Sequence, residues 1–207
     1  MLQVLGRGSS INVRKVLWTC AEIGIEPQHI EWGSPTLPLS SPEFLALNPV
    51  GLVPVLRDGA LVLRESNTIC RYLAARHGRT DLLPAAPAKR AQVEQWMDWQ
   101  ATELNTAWRH AFMGLVRQHP DFQAPEQIAR SVQAWNRQMA LLDEALAARG
   151  PYVLGEVFTL ADVVLGLSTH RWRSTPMERP DLPAVTDWTA RLQQRPGFRR
   201  FGCNGLP

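Results

Sequence analysis

Three short segments near the start of the chain combine residue types that can hold an anionic ligand. Gly8-Ser9-Ser10-Ile11-Asn12 stands where an apolar run hands over to a helical period, so backbone amides and the positive end of a helix dipole meet serine hydroxyls there. Such a helix start suits an anion such as a thiolate and lowers a thiol pKa. The plainer reading is a cap, since serine is a preferred N-cap residue, and this segment alone favours the cap. Asn48 to Leu56 (NPVGLVPVL) places Pro54 inside an apolar strand, where it removes a ladder donor and belongs at an edge or bulge. With a cis Val53–Pro54 bond, Val53 offers its N–H and C=O to an extended peptide. Nine residues past Val55, Arg64-Glu65-Ser66-Asn67-Thr68 opens another helix. There Glu65 could pair with an ammonium, while the Ser66 hydroxyl and amide could bind a carboxylate; the alternative is Ser66 capping its own helix. Three such features so close in sequence favour a shared ligand over three coincidences.

Other chemistries lack their signatures. His29, His77, His110, His119 and His170 show neither metal spacing nor a pattern of carboxylate partners, so each reads as a lone surface or core histidine. No CxxC, Gly-rich phosphate loop or nucleophile elbow occurs. No metal and no nucleotide is expected.

The elements that must position these segments have two rhythms. Leu2 to Leu5 reads as a strand; from Ser10, Val13, Val16, Leu17, Cys20 and Ala21 share one helical face that Gly24 ends. Ile25 to Trp32 reads as a second strand, and a Ser/Pro-rich loop covers 33–42. Leu52 to Arg57, turned by Asp58-Gly59, runs into Ala60 to Leu63 as a hairpin, and a helix follows from about Glu65 to Ala75. This order implies a mixed sheet with helices packed on it. Residues 79–87, with two prolines, read as a linker between a first domain at 1–78 and a second at 88–207. Beyond it, Val93, Met97, Ala101, Leu104, Trp108, Ala111 and Leu115 form one apolar helical stripe, and Ile128, Val132, Trp135, Met139, Leu142 and Leu146 form another. The pair should pack antiparallel, with further helices beginning near Thr159 and Pro183. Thr159 and Asp162 have the spacing of a capping box, with Phe158 placed to staple onto Val163.

Composition sets the bounds. Of 207 residues, 45% are hydrophobic and 20% charged, which fits a globular chain able to bury a core without staples. No run is long enough to span a membrane, and the opening MLQVLGRGSS lacks the pattern of a secretory leader. Cys20, Cys70 and Cys203, at unrelated spacings, suit reduced thiols and a cytoplasmic location. All the basic residues except Lys15 and Lys89 are arginine, and the net charge is only +3, with no basic run that would mark a nucleic-acid binder.

Together these residues resemble the glutathione transferase superfamily over nearly the whole chain, most like its serine-type, theta- or phi-like bacterial members. The resemblance rests on Ser-x-x-x-Arg-Lys-Val at Ser10 to Val16, Asn-Pro-x-Gly-x-Val-Pro at Asn48 to Pro54, Glu65-Ser66, and Thr159-Leu160-Ala161-Asp162. It implies a thioredoxin-like α/β domain with a mixed four-stranded sheet, followed by an all-α domain. It also implies glutathione as co-substrate, with Ser10 stabilising the thiolate and Asn12 as a second donor. Val53 would pair with the cysteinyl backbone, Pro54 would be the cis proline, and Glu65 and Ser66 would hold the γ-glutamyl end. Tyr72 and Tyr152 lie far from the first helix and Cys20 lies deep within it, so tyrosine- and cysteine-type chemistries do not fit. The chain departs from relatives at Leu52, where many carry a basic residue, and at Leu39, where some place a histidine for the glycyl carboxylate. Arg7 or Arg14 could take that carboxylate, although Arg14 reads better as a solvated charge on a helix face. A pocket for a small hydrophobic electrophile should lie between Ser10 and the helix carrying Asn105, Trp108, Arg109 and Phe112; Trp108 on the apolar stripe reads equally as core. The resemblance further implies a cytoplasmic homodimer with a detoxifying role. The alternatives are peroxide or disulfide reduction at the same site, or a non-catalytic binding protein of this fold.

Overall fold

A computed structural model of the chain describes residues 1–205. Strand β1 (Leu2–Leu5) leads through helix α1 (Ile11–Ile23) to strand β2 (Gln28–Ile30), which lies parallel to β1. The loop after β2 contains a short helix, α2 (Pro42–Leu47). Strands β3 (Val55–Asp58) and β4 (Leu61–Arg64) form the hairpin, and helix α3 (Ser66–Arg76) follows. The sheet runs in the order β2-β1-β3-β4 and is mixed, because β3 is antiparallel to both its neighbours.

Strand alternation sorts the core. Val4 pairs with Leu56 and both face the cluster containing α1 and α3; Leu5 pairs with Val55 and both face Phe44 of α2. Two expectations change. Strand β2 is shorter than Ile25 to Trp32: only Gln28 to Ile30 pair, with Gln3 to Leu5 of β1. Helix α2 begins where the expected loop ends and covers 43–47, to which the sequence pattern assigned no element: it is too short for a periodic stripe, and its signal is local, with the Ser41 hydroxyl accepting from the Phe44 amide at 3.3 Å and Pro42 beginning the helix.

After α3 the chain is helical. Leu82 and Leu83 are buried in the segment joining the halves, and the Leu82 carbonyl accepts from the Leu160 amide at 3.0 Å, so the connection is pinned to the helical half. Helix α4 (Pro87–Trp99) continues through a π-helical turn at Gln100–Leu104 into α5 (Asn105–Leu115). Helix α6 (Pro125–Arg149) packs antiparallel to α5: Trp108 meets Trp135, the Ala111 amide donates to Ser131 Oγ at 3.0 Å, and Gly114 approaches Ile128. Helices α7 (Leu160–Ser174) and α8 (Pro183–Leu192) complete the described bundle with a π-helical turn at Phe198–Gly202. The expected stripe on α4–α5 is broken at Ala101, which is exposed, while Gln100 is buried. The wider π turn takes up an extra residue and so rotates the stripe between Met97 and Leu104.

Candidate functional site

The β1–α1 turn is held from outside. His29 Nε2 lies 2.7 Å from the Gly6 carbonyl, and the Gly8 amide donates to both Glu31 carboxylate oxygens at 3.1 Å. Glu31 therefore already takes one of the amides expected to face an anion. Ser10 then sits at the N-cap of α1 with extended backbone, and its side chain makes no capping hydrogen bond. The cap reading does not describe Ser10.

Gly6 explains how the other segments approach this turn. Its φ is +144°, and a Cβ there would lie 2.6 Å from Val13 Cγ2 and 2.7 Å from Val53 Cβ. Val53, joined to Pro54 by a cis bond, therefore sits directly against the turn. From the other side the Ser66 hydroxyl donates to Asn12 Oδ1 at 3.4 Å, linking the first turns of α1 and α3. Ser66 is the first residue of α3 and does not cap it. Glu65 occupies the cap position with φ +68°, a conformation costing a side-chain-bearing residue on the order of 1–3 kcal/mol. It is exposed, with no side-chain capping bond. Ser10, Asn12, Val53, Pro54, Glu65 and Ser66 thus converge on one corner of the first domain.

That corner opens on a cleft of about 350 Å³ lined by Arg7, Ser10, Ile11 and Asn12 and, across from them, by Asn105, Trp108, Arg109, Phe112, Met113, Arg117 and Arg171. The four expected pocket residues all line it. Asn105 Oδ1 accepts from both Trp108 Nε1 and Gln100 Nε2 at 2.9 Å, which fixes the indole. Trp108 meets Phe112 edge-on with centroids 5.4 Å apart, so the wall is rigid and aromatic. A roomier hollow of about 600 Å³ beside Thr80, Ala86 and α4 contains none of these groups.

Sequence reasoning missed Arg117 and Arg171, and it misplaced Arg14. Arg14 is 1% exposed, with Nη1 donating to Asn204 Oδ1 at 2.9 Å, and burial lowers its pKa to about 10. It is therefore not a solvated charge, because α7 and the C-terminal segment cover the outer side of α1. Lys15 beside it is equally buried, and its ammonium reaches Gln100 Oε1 at 2.6 Å and Asn67 Oδ1 at 3.4 Å. No local pattern distinguishes these cations from exposed ones. Burial pushes the Cys20 thiol up to about 12 and the Cys70 thiol up to about 11, so neither supplies a ready thiolate. His29 and His119 do have carboxylates nearby, Glu31 and Asp121, each at 3.8 Å.

Comparison with known proteins gives a consistent result. Residues 9–76 match the family model "Glutathione S-transferase, N-terminal domain" and residues 125–191 match "Glutathione S-transferase, C-terminal domain". The chain is 36% identical over 202 residues to Glutathione S-transferase GstB of Escherichia coli (strain K12), covering 97% of both chains. It is 35% identical over 209 residues to Glutathione S-transferase 3 of Zea mays, covering 96% of this chain and 92% of that protein. The crystal structure of the theta class glutathione S-transferase from Xanthomonas axonopodis pv. citri with glutathione bound superposes with a TM-score of 0.92 at 40% identity. That match covers 100% of this chain and 99% of the other.

Proposed function

The chain belongs to the glutathione S-transferase family and is a glutathione transferase, and on that premise we propose that Ser10 is the residue that activates the glutathione thiol. The observation carrying this reading is that the Ser10 hydroxyl, at a helix start yet unused for capping, shares one cleft with Trp108 and Phe112. The hydroxyl donates to the glutathione sulfur and favours the thiolate, aided by the positive end of α1. Asn12, tethered by Ser66, is a second donor. The Val53 backbone, next to cis Pro54, pairs with the cysteinyl unit, and Glu65 and Ser66 hold the γ-glutamyl ammonium and carboxylate.

In the reaction the thiol proton leaves to solvent and the sulfur lone pair forms a C–S bond to an electrophilic carbon. The electron pair of the broken bond leaves with the departing group. Holding both substrates in one cleft supplies proximity, and a fixed donor at the sulfur supplies electrostatic stabilisation. Glutathione is a co-substrate and no further cofactor takes part. The electrophile pocket is the wall of Asn105, Trp108, Arg109 and Phe112.

The test is the ultraviolet absorbance of enzyme-bound glutathione thiolate, titrated against pH, for wild type and Ser10→Ala. A lowered thiol pKa that returns towards the solution value in the variant is expected, with kcat/KM falling roughly a hundredfold. Bound glutathione with an unshifted pKa would sink the Ser10 mechanism, and absence of binding would point to an interaction protein of this fold.

The proposal extends to a cytoplasmic homodimer with a detoxifying role. Exposed Leu61 and Val62 on edge strand β4, and exposed Val50 and Leu52 before β3, support the pairing. Sedimentation should give twice the 23.2 kDa chain mass. Among the described residues no helix is long and apolar enough to cross a membrane.

A further inference from the structure

The cleft facing Ser10 is lined by four arginines, Arg7, Arg109, Arg117 and Arg171, and by no acidic side chain. Several arginines elsewhere have carboxylate partners: Arg71 with Asp98, Arg76 with Asp58, Arg79 with Asp81, Arg195 with Glu22 and Arg200 with Glu26. Among the described residues no carboxylate lies within 4.0 Å of any of the four cleft arginines. Arg171 is the extreme case. Only 4% of it is exposed, and its Nε is buried without a hydrogen-bond partner. Its guanidinium carbon lies 4.0 Å from the Phe112 centroid and 4.7 Å from that of Trp108. Arg117 approaches Phe112 at 5.4 Å, so the two guanidinium groups share one aromatic ring.

This arrangement is costly without a ligand. A buried cation with no counter-charge among the described residues loses hydration and gains ring contacts in return. Burial, together with Arg14 and Arg117 nearby, lowers the Arg171 pKa to about 9. A carboxylate entering the cleft supplies the missing charge, and guanidinium groups receive it through paired N–H donors.

We propose that the electrophile of this enzyme is an aromatic compound bearing a carboxylate, which Arg171 and Arg117 hold while its ring lies along Trp108 and Phe112 with the reactive carbon towards Ser10. The inference rests on the transferase reading above and narrows its substrate class from apolar to anionic. The glycyl carboxylate of glutathione is the other source of the same chemistry. Arg7, on the first-domain wall of the cleft with Ser10 and Asn12, is then the arginine left for that end.

The test compares 4-chloro-3-nitrobenzoate with its methyl ester as electrophiles, each rate divided by the uncatalysed rate with glutathione. For wild type the benzoate should be favoured. In Arg117→Gln, at an exposed position outside the core, and in Arg171→Met, checked by circular dichroism, kcat/KM for the benzoate should fall about tenfold to a hundredfold. The ester should change less than about threefold, since it lacks the charge those donors bind, and KM for glutathione should hold. Equal losses for both electrophiles, or a loss confined to the KM for glutathione, would overturn the proposal; the latter assigns the arginines to the glycyl end. If wild type conjugates neither compound, neither is an electrophile for it; the Ser10 thiolate titration then decides the thiol chemistry, and equilibrium binding of 4-nitrobenzoate against 4-nitrobenzamide decides the arginine site by itself. Preference for the benzoate that Arg117→Gln weakens supports it, and equal affinity ends it.

Discussion

The ammonium of Lys15 lies five residues along α1 from the Ser10 hydroxyl, but it is sealed from water and rests on two side-chain amide oxygens. Desolvation lowers its pKa from 10.5 to about 7; Arg171 pushes the same way, while Cys70 and Glu65 oppose. The unfolded chain therefore binds the extra proton between about pH 7 and 10.5, so this group makes stability rise with pH across that window and imposes its full penalty below it. Cys20 and Cys70 act in the opposite sense above pH 9, where the folded state keeps thiol protons that the unfolded state releases. Urea unfolding of wild type should thus show stability rising between pH 7 and 9, and Lys15→Met should flatten that rise. An unchanged slope in the variant would show that Lys15 is not the group responsible. At this scale the types in the first-domain corner were legible, because cap and edge positions are local. The burial of Arg14, Lys15 and Arg171 was not, since a cation on a helix looks the same in sequence whichever side is later covered.

Helix α7 shows how far one short motif reaches. The expected capping box is present: the Asp162 carboxylate accepts from the Thr159 amide at 2.9 Å and from its hydroxyl at 3.2 Å. The same carboxylate also accepts from the Val153 amide and from Trp188 Nε1, each at 3.0 Å, tying the α6–α7 loop and α8 to the start of α7. Asp162→Asn replaces one acceptor with an amide donor facing other donors. It should cost about 3 kcal/mol, read as a lowered urea midpoint at constant m-value. Turnover per folded molecule should be unchanged; a loss below about 1 kcal/mol would mean the four bonds act independently and weakly. The box was readable from spacing, whereas the Val153 and Trp188 bonds depend on tertiary neighbours. The π turn at Gln100–Leu104 carries the same lesson. Counting by α-helical steps puts Ala101 inside, but the turn buries Gln100 and so supplies the acceptor for Lys15 and the donor for Asn105.

Across the whole molecule the two halves share one core. Trp18 of α1 is fully buried, with ring centroids 5.0 Å from Phe198 and 5.9 Å from Phe158 of the helical half. Gly166 on α7 makes room for it, since a Cβ there would lie 3.1 Å from the indole. Arg195 closes the contact through two bonds to Glu22, at 3.1 and 2.5 Å. A core continuous from Val4 to Leu192 predicts one cooperative transition, with tryptophan fluorescence and far-ultraviolet circular dichroism coinciding. Trp18→Ala should lower stability by about 3–5 kcal/mol in that single transition. Two separated transitions in wild type would show that the halves unfold independently. By itself the sequence determined the order of the strands and of the longer helices, the capping box, the α6 stripe and the residue types at the candidate site, because each depends on neighbours a few positions away. Only the tertiary structure decided that Ser10 leaves its cap unused, that Lys15 is sealed between halves, and that Arg117 and Arg171 turn an aromatic pocket cationic. Those outcomes depend on which surfaces the folded chain brings together and on which of them it closes to water.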